Sequence, residues 1–333
     1  MTLRTRTWTV ALALATVWLL WGSTFLGIRV VVQSAPALLS AGVRFLVAGA
    51  LLLVALRIWR RIGPAEGVRC ALRGRVAWLV VLGLLHFTVA NGLVSLAVRD
   101  LPSSTAGVLF STVPLWSLVA TTAIRGSLPS RADVLATLTG ILGVVVLLGF
   151  TTAGLLPSVL VLVAAGTWAA ATLLAGHDPR ASPPSRLPVG AALASSVQMI
   201  GGGIGLIIAS GVAGEWVSLD PTSIGWSAWL AQGYLIVFGS LLGFVAYTWL
   251  VVSGVDPRLT STFSYVSPLV AVALGALILA EPVGPRTLIG TALVVAAVAW
   301  TVLAALLRHA GRPATELPHR TAVSTVANPG SSA

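Results

Sequence analysis

Lysine is absent from this 333-residue chain, and acidic side chains number only nine. Charged residues of every kind make up 9% of it, whereas a soluble domain carries roughly a quarter. So few charges cannot cover a water-facing surface, which excludes a soluble globular protein. A single cysteine, Cys70, excludes an internal disulfide. There is no HExxH, no Walker-type glycine loop and no Cys/His cluster with metal-ligand spacing, so neither a cofactor nor a metal is expected. No Asp or Glu falls inside a long apolar run; Asp133 and Glu281 stand at run ends. A mid-membrane carboxylate of the kind proton-driven pumps use is therefore missing.

What the chain does have is apolar length. Hydrophobic residues make up 57% and the mean hydropathy is +0.98. Ten runs are long enough for spanning helices: about 8–32, 37–56, 76–98, 104–124, 133–150, 155–175, 189–212, 228–252, 259–280 and 286–307. Runs such as Leu51 to Leu56 lack the polar–apolar alternation of a barrel strand. The fold class expected is an all-α membrane protein. Arg4 and Arg6 ahead of an apolar stretch resemble a signal peptide, but the stretch continues to Val32, and a retained first helix is favoured.

The formal net charge of +11 is a topology signal. With the N-terminus inside, sixteen arginines fall in cytoplasmic segments, two outside (Arg99 and Arg286) and two within helices (Arg29 and Arg44). The positive-inside rule then places both termini in the cytoplasm. Nothing in this pattern calls for nucleic acid. Arginine without lysine suits a GC-rich genome, hence a bacterial plasma (inner) membrane. Cys70, in the basic cytoplasmic segment 57–75, is expected to be inert.

The chain is internally duplicated. Asn91 to Ile124 aligns without a gap on Val245 to Ile278 at an offset of 154, matching Leu96 with Leu250 and Pro114-Leu115 with Pro268-Leu269. Trp21 pairs with Trp168 and the Gly140 region with the Gly290 region. The expected domains are residues 8–150 and 155–307, followed by a polar, disordered cytoplasmic tail at 308–333. Each half holds five runs, and an odd number inverts the second half in the membrane, an arrangement of secondary transporters. Gly201 to Gly205 and Gly239 to Gly243 carry small residues four apart. They favour packing within the chain over a dimer face, and a homodimer stays open.

Arg44 is the sharpest single residue. It lies about 12 Å into the second run at 1.5 Å per residue. A central arginine costs roughly 2.5–3.5 kcal/mol, which the apolar residues of that run only narrowly cover. Ala37, Ser40, Ala41 and Ala48 form a small-residue stripe beside it, suited to the bundle interior. Arg44 is either a counter-charge for an anionic substrate or a structural arginine at a helix break. Arg29, near a run end, can snorkel to the headgroups.

Pro114 and Pro268 each remove an N–H and displace the carbonyl four residues back, at Phe110 and Ser264. Such breaks beside Ser111, Ser264 and Tyr265 could line a cavity at mid-depth, or be simple kinks. His86 is a possible coupling group, though a lone histidine bonded to a neighbouring helix is commoner. Trp21 and Tyr265 lie deep enough to stack on a substrate.

Trp21-Gly22-Ser23-Thr24-Phe25-Leu26-Gly27-Ile28-Arg29 resembles the opening motif of drug/metabolite transporters of the EamA type. Arg44-Phe45, the Pro-Leu helices and Ala280-Glu281-Pro282 fit the same pattern, and the opening is also similar to a branch of bacterial inner-membrane members. The resemblance covers nearly all of residues 8–307. It implies ten helices in two inverted five-helix EamA repeats, a central cavity, and export of small metabolites or amphipathic compounds by alternating access. The family usually ends its fourth helix with an acidic residue matching Glu281, and here Ser127 stands there.

The expected function is a secondary transporter in the lipid bilayer, with a small-molecule substrate. Its site would hold Arg44, Trp21, Ser111, Pro114, Ser264, Tyr265 and Pro268. A channel-like or sensory protein is the alternative. An intramembrane enzyme is disfavoured, because paired acid–base or metal-ligating groups at one depth are missing; Ser227 in Gly225-Trp226-Ser227-Ala228 has no histidine partner.

Overall fold

The computed structural model describes residues 3–60, 74–125, 130–148, 154–176, 188–217, 219–252, 255 and 262–310. Cys70, Ser127, the connector 177–187 and the tail from 311 lie outside these residues, as does most of the segment 57–75. Among the described residues every regular element is helical. That is the expected consequence of long Leu, Val and Ala runs, whose backbone groups have only each other as partners in hydrocarbon.

The rods follow in order. They are α1 (Leu3–Val32), α2 (Ala37–Arg60), α3 (Val76–Gly83, Leu84–Asn91 and Gly92–Ala97), α4 (Ser103–Phe110 and Val113–Arg125) and α5 (Arg131–Leu148). After these come α6 (Leu155–Gly176), α7 (Pro188–Val212), α8 (Trp226–Tyr234, Leu235–Leu242 and Gly243–Val252), α9 (Phe263–Leu279) and α10 (Pro285–Ala310). Among the described residues seven helices are long and apolar enough to cross a membrane, and Phe263–Leu279 and Pro285–Trp300 are shorter apolar helices. Large apolar side chains such as Leu135, Leu138 and Ile141 of α5, and Leu288 and Ile289 of α10, are exposed on the rods. A surface of that kind is stable only against lipid.

The two halves interlock. α7 lies along α2, α5 along α10, and α9 packs on α1 and α4. Glycine makes the closest of these approaches. Gly202 of α7 leaves no room for a side chain against the Gly83 carbonyl and Phe87 of α3, while Gly203 abuts the α2 backbone at Leu46. The glycine-rich stretch of α7 is thus spent on contacts inside the chain. The largest buried cluster, with Phe25, Ile28, Val94, Val98, Leu101, Leu109, Leu235 and Ala271, fills the end of the bundle at which α1 and α3 finish. We refer to this as the Val32 end.

Among the described residues three rods depart from regular α geometry. The middle of α3 (Leu84–Asn91) and the middle of α8 (Leu235–Leu242) are π-helical. No apolar pattern announced either. In α3 the widened turn is closed by Asn91, whose Nδ2 donates to the His86 carbonyl at 2.9 Å. α4 is interrupted at Ser111–Thr112, just before Pro114.

α9, by contrast, runs unbroken through Pro268, so the expectation of a break in both Pro-Leu helices is corrected. Pro268 stands only five residues after the start of α9 at Phe263, so its missing N–H disturbs the first turns and the rest of the ladder forms normally.

Glycine packing predicts a sharp contrast. A Cβ on Gly83 would sit 2.2 Å from the Gln198 carbonyl, and one on Gly233 would meet nothing within 4 Å. Gly83→Ala should therefore destabilise the protein by about 1–3 kcal/mol, with Gly233→Ala close to neutral. Thermal unfolding of both purified variants in one detergent measures the difference.

Candidate functional site

α1, α2, α3, α4, α6, α8 and α9 together wall a cavity with about 810 Å³ of empty space, part of it open to solvent. Eight of the twenty described residues that line it are aromatic. Trp21 and Phe25, one turn apart on α1, present two rings to it. From Phe25 the contacts continue to Phe110 (5.8 Å between ring centroids), Trp168 (5.7 Å), Phe87 (6.4 Å) and Phe244 (5.7 Å), and Phe244 returns to Trp21 (5.4 Å). The six rings form a collar contributed by both halves of the chain. The internally matched tryptophans, Trp21 and Trp168, both belong to it.

Arg44 enters this collar from α2. It is 5% exposed, and its Cζ lies 4.7 Å over the Phe45 ring. Nε donates to Ser240 Oγ at 2.8 Å, which anchors the guanidinium to the π-helical stretch of α8. The two Nη groups make no hydrogen bond among the described residues. Gly239 makes the approach of α8 possible, since a Cβ there would lie 2.9 Å from Thr24 Cγ2 and 3.4 Å from Arg44 Nη2. Among the described residues lining the cavity, Arg44 is the one ionisable group.

The residues singled out from the sequence divide accordingly. Trp21, Arg44, Ser111, Ser264 and Pro268 line the cavity. Ser111 does so with its hydroxyl turned away, donating to the Val108 carbonyl at 2.7 Å. Pro114 stands behind Val113 and shapes the break without lining the space. Tyr265 does not line the cavity: one residue past Ser264 it has rotated by about 100°, into the cluster of Leu115, Val294 and Ala297 between α4 and α10.

His86 also faces elsewhere. Its ring lies within hydrogen-bonding distance of Thr172 Oγ1 on α6 (3.3 Å) and edge-on to Trp168. Sequence reasoning missed Ser267, the residue before Pro268. Its Oγ is buried, has no hydrogen-bond partner, and the residue lines the cavity. The Ser264–Pro268 spacing on one helical face could have signalled it.

A second polar assembly closes the Val32 end. Glu281 follows Ala280, whose left-handed backbone (φ 50°) ends α9 and lets the Glu281 N–H reach back to the Gly275 carbonyl. The carboxylate then lies over Gly275, where a Cβ would come within 2.5 Å of Oε2. It accepts four hydrogen bonds from the start of α4: Ser103 N and Oγ at 2.7 and 2.8 Å, and Ser104 N and Oγ at 2.9 and 2.6 Å. A carboxylate at a helix N-terminus satisfies amides that have no partner within the helix and complements the helix dipole.

Arg29 Nε stands 3.6 Å from Glu281 Oε1, and Nη1 donates to the Val98 and Leu101 carbonyls. Arg29 is thus held by protein rather than snorkelling. Glu215 repeats the device, its carboxylate accepting from Leu38 N and Leu39 N at the start of α2. Both carboxylates come from the second half of the chain and cap helices of the first.

The EamA-like transporter family model matches residues 8–149 and 155–303. The chain belongs to the EamA-like transporter family. It is a multi-pass membrane transporter with two EamA repeats. This EamA protein is also 34% identical over 267 residues, 79% of its length and 80% of theirs, to the inner membrane transporter YedA of Escherichia coli K12 and of strains O6:H1 and O157:H7. A solved crystal structure at 19% identity superposes with a TM-score of 0.60, covering 89% of this chain and 98% of that one, which supports the fold.

The Glu281 cap of this EamA protein should be visible in its response to pH. Burial raises the carboxyl's pKa, but the hydrogen bonds from Ser104 and Ser103 outweigh it and hold the group below its ordinary value of 4.5. A depressed carboxylate contributes stability above that value and loses it as pH falls through the lowered one. Glu281→Gln should melt lower than wild type at pH 7, and the gap should narrow as pH falls below about 4.5. Melting curves of both proteins across that range measure it.

Proposed function

We propose that this EamA protein is a secondary transporter of the bacterial inner membrane that exports small, amphipathic metabolites by alternating access. The ten apolar runs would all span the bilayer, as two inverted five-helix repeats with both termini in the cytoplasm. The Val32 end then faces the periplasm. The observation that carries the proposal is the central cavity, walled by helices of both repeats and held around one buried arginine. A site at the seam of two halves becomes accessible from one face or the other as the halves rock. Capping of α2 and α4 by Glu215 and Glu281 corresponds to a state closed toward the periplasm. Reopening that face requires the caps to part.

Flux in proteoliposomes tests this reading. Purified protein should accumulate or release at least one member of a panel of small metabolites in a saturable manner, with counterflow, with and without an imposed pH gradient. Conductance that does not saturate would indicate a channel instead. Reporter fusions after Arg75 and after Arg308 should both report cytoplasm. A periplasmic signal at either would reverse the assignment of faces.

A further inference from the structure

We infer that the cavity is built for an organic monoanion, a carboxylate joined to an apolar body, with a further polar group directed at α9. This deepens the proposed transport function and rests on the same cavity being its substrate site.

Charge comes first. Arg44 is buried, and no acidic residue stands among the described residues lining the cavity. Among the described residues Nε alone is hydrogen-bonded, to Ser240, and the Phe45 ring covers one face of the guanidinium. A buried charge is stabilised when it is paired and fully hydrogen-bonded, and among the described residues no carboxylate pairs with Arg44 and no hydrogen bond reaches its two Nη groups. A carboxylate supplies both, since its two oxygens match the fork of a guanidinium. An amine in the same place would add a second uncompensated positive charge.

The body follows from the collar. Trp21, Phe25, Phe87, Phe110, Trp168 and Phe244 offer ring faces and edges and no charge, which suits an apolar or aromatic moiety. The α9 wall differs. Ser267 is 8% exposed and its Oγ is unpartnered. Ser264 lines the same wall, and its carbonyl receives no N–H from Pro268. An orphaned buried hydroxyl costs free energy until something bonds to it, so this wall points to a polar group on the substrate away from its carboxylate.

A matched series of probes tests the assignment on the full-length protein in nanodiscs: 3-phenylpropionate, 3-phenylpropionamide and 3-phenylpropylamine, which share a body and differ in charge. Titration is followed by the fluorescence of the cavity tryptophans and by thermal shift. The carboxylate should bind at least about tenfold more tightly than the amide, and the amine should not bind. Arg44→Gln should abolish the preference for the carboxylate. A probe with a hydroxyl at the far end of the ring, 3-(4-hydroxyphenyl)propionate, should bind more tightly than the parent, and Ser267→Ala should remove that gain.

Equal binding of all three probes, a preference for the amine, no binding of the carboxylate, or an undiminished preference in Arg44→Gln would each overturn the assignment. If Arg44→Gln fails to insert, the wild-type charge series still decides. Saturable flux of a neutral or cationic metabolite, without binding of the carboxylate, would sink this assignment and leave transport standing. Binding of the carboxylate without flux of any metabolite would do the reverse.

Discussion

A backbone amide or carbonyl in hydrocarbon must be satisfied by protein, because no water is available to replace a missing partner. Two departures from regular helix among the described residues show how that constraint is met. Where α4 breaks ahead of Pro114, Ser111 and Thr112 fold their hydroxyls back onto the Val108 and Leu109 carbonyls. Where α3 widens, Asn91 bonds to the His86 carbonyl. At the Val32 end the starts of α2 and α4 each meet a carboxylate, one from each of two second-half connectors. In α3 and α4 a side chain of the irregular segment itself takes up a nearby carbonyl, so non-regular backbone can persist beside the cavity.

The same constraint governs where charge sits. The acids and arginines near the Val32 end serve backbone ends and one another: Glu281 caps α4, and Arg29 serves the α3–α4 turn while pairing with Glu281. Arg44 differs in kind. Its Nε is served by a hydroxyl and its guanidinium face by the Phe45 ring, but no carboxylate meets it among the described residues. Among the described residues, the guanidinium without a carboxylate and the unpartnered Ser267 hydroxyl both belong to the cavity wall, whereas the other buried side-chain atoms without a partner, Trp78 Nε1 and Thr291 Oγ1, lie away from it.

Much of the architecture was legible because bilayer solvation imposes length and apolarity on each helix, and both can be counted. That Trp21 and Arg44 face the interior could be read from the chain alone, and both line the cavity. A tryptophan recurring at matched positions marks the seam between the halves, and an arginine at depth must turn inward to escape lipid. The misses are of one type. Tyr265 and Ser267 flank the same turn before Pro268, and which one faces the cavity depends on helical rotation fixed by packing against α4 and α10. The π-helical stretches were invisible because a wider turn requires no change of composition. Glu281 was recognised at a run end, but its role needs Ala280 in a left-handed conformation and a bare Gly275 beneath the carboxylate. Those are tertiary facts.

The difference between α4 and α9 bears on mechanism. Their sequences align without a gap around Pro114 and Pro268, yet one is interrupted at Ser111–Thr112 and the other is continuous. One ancestral pattern thus occupies two backbone states within a single molecule. The interrupted copy has its start pinned by Glu281, whereas the continuous copy has its end shaped by the Ala280 turn that delivers Glu281. The two helices are therefore coupled through one carboxylate. In the proposed cycle, releasing that carboxylate frees the start of α4 and the end of α9 together. Substrate charge at Arg44 would be felt through Ser240 by α8, the rod whose π-helical middle touches α1 at the collar. Site and closure are then linked through helices that already hold more than one geometry, and a small bound ion need only shift a balance the repeats have set.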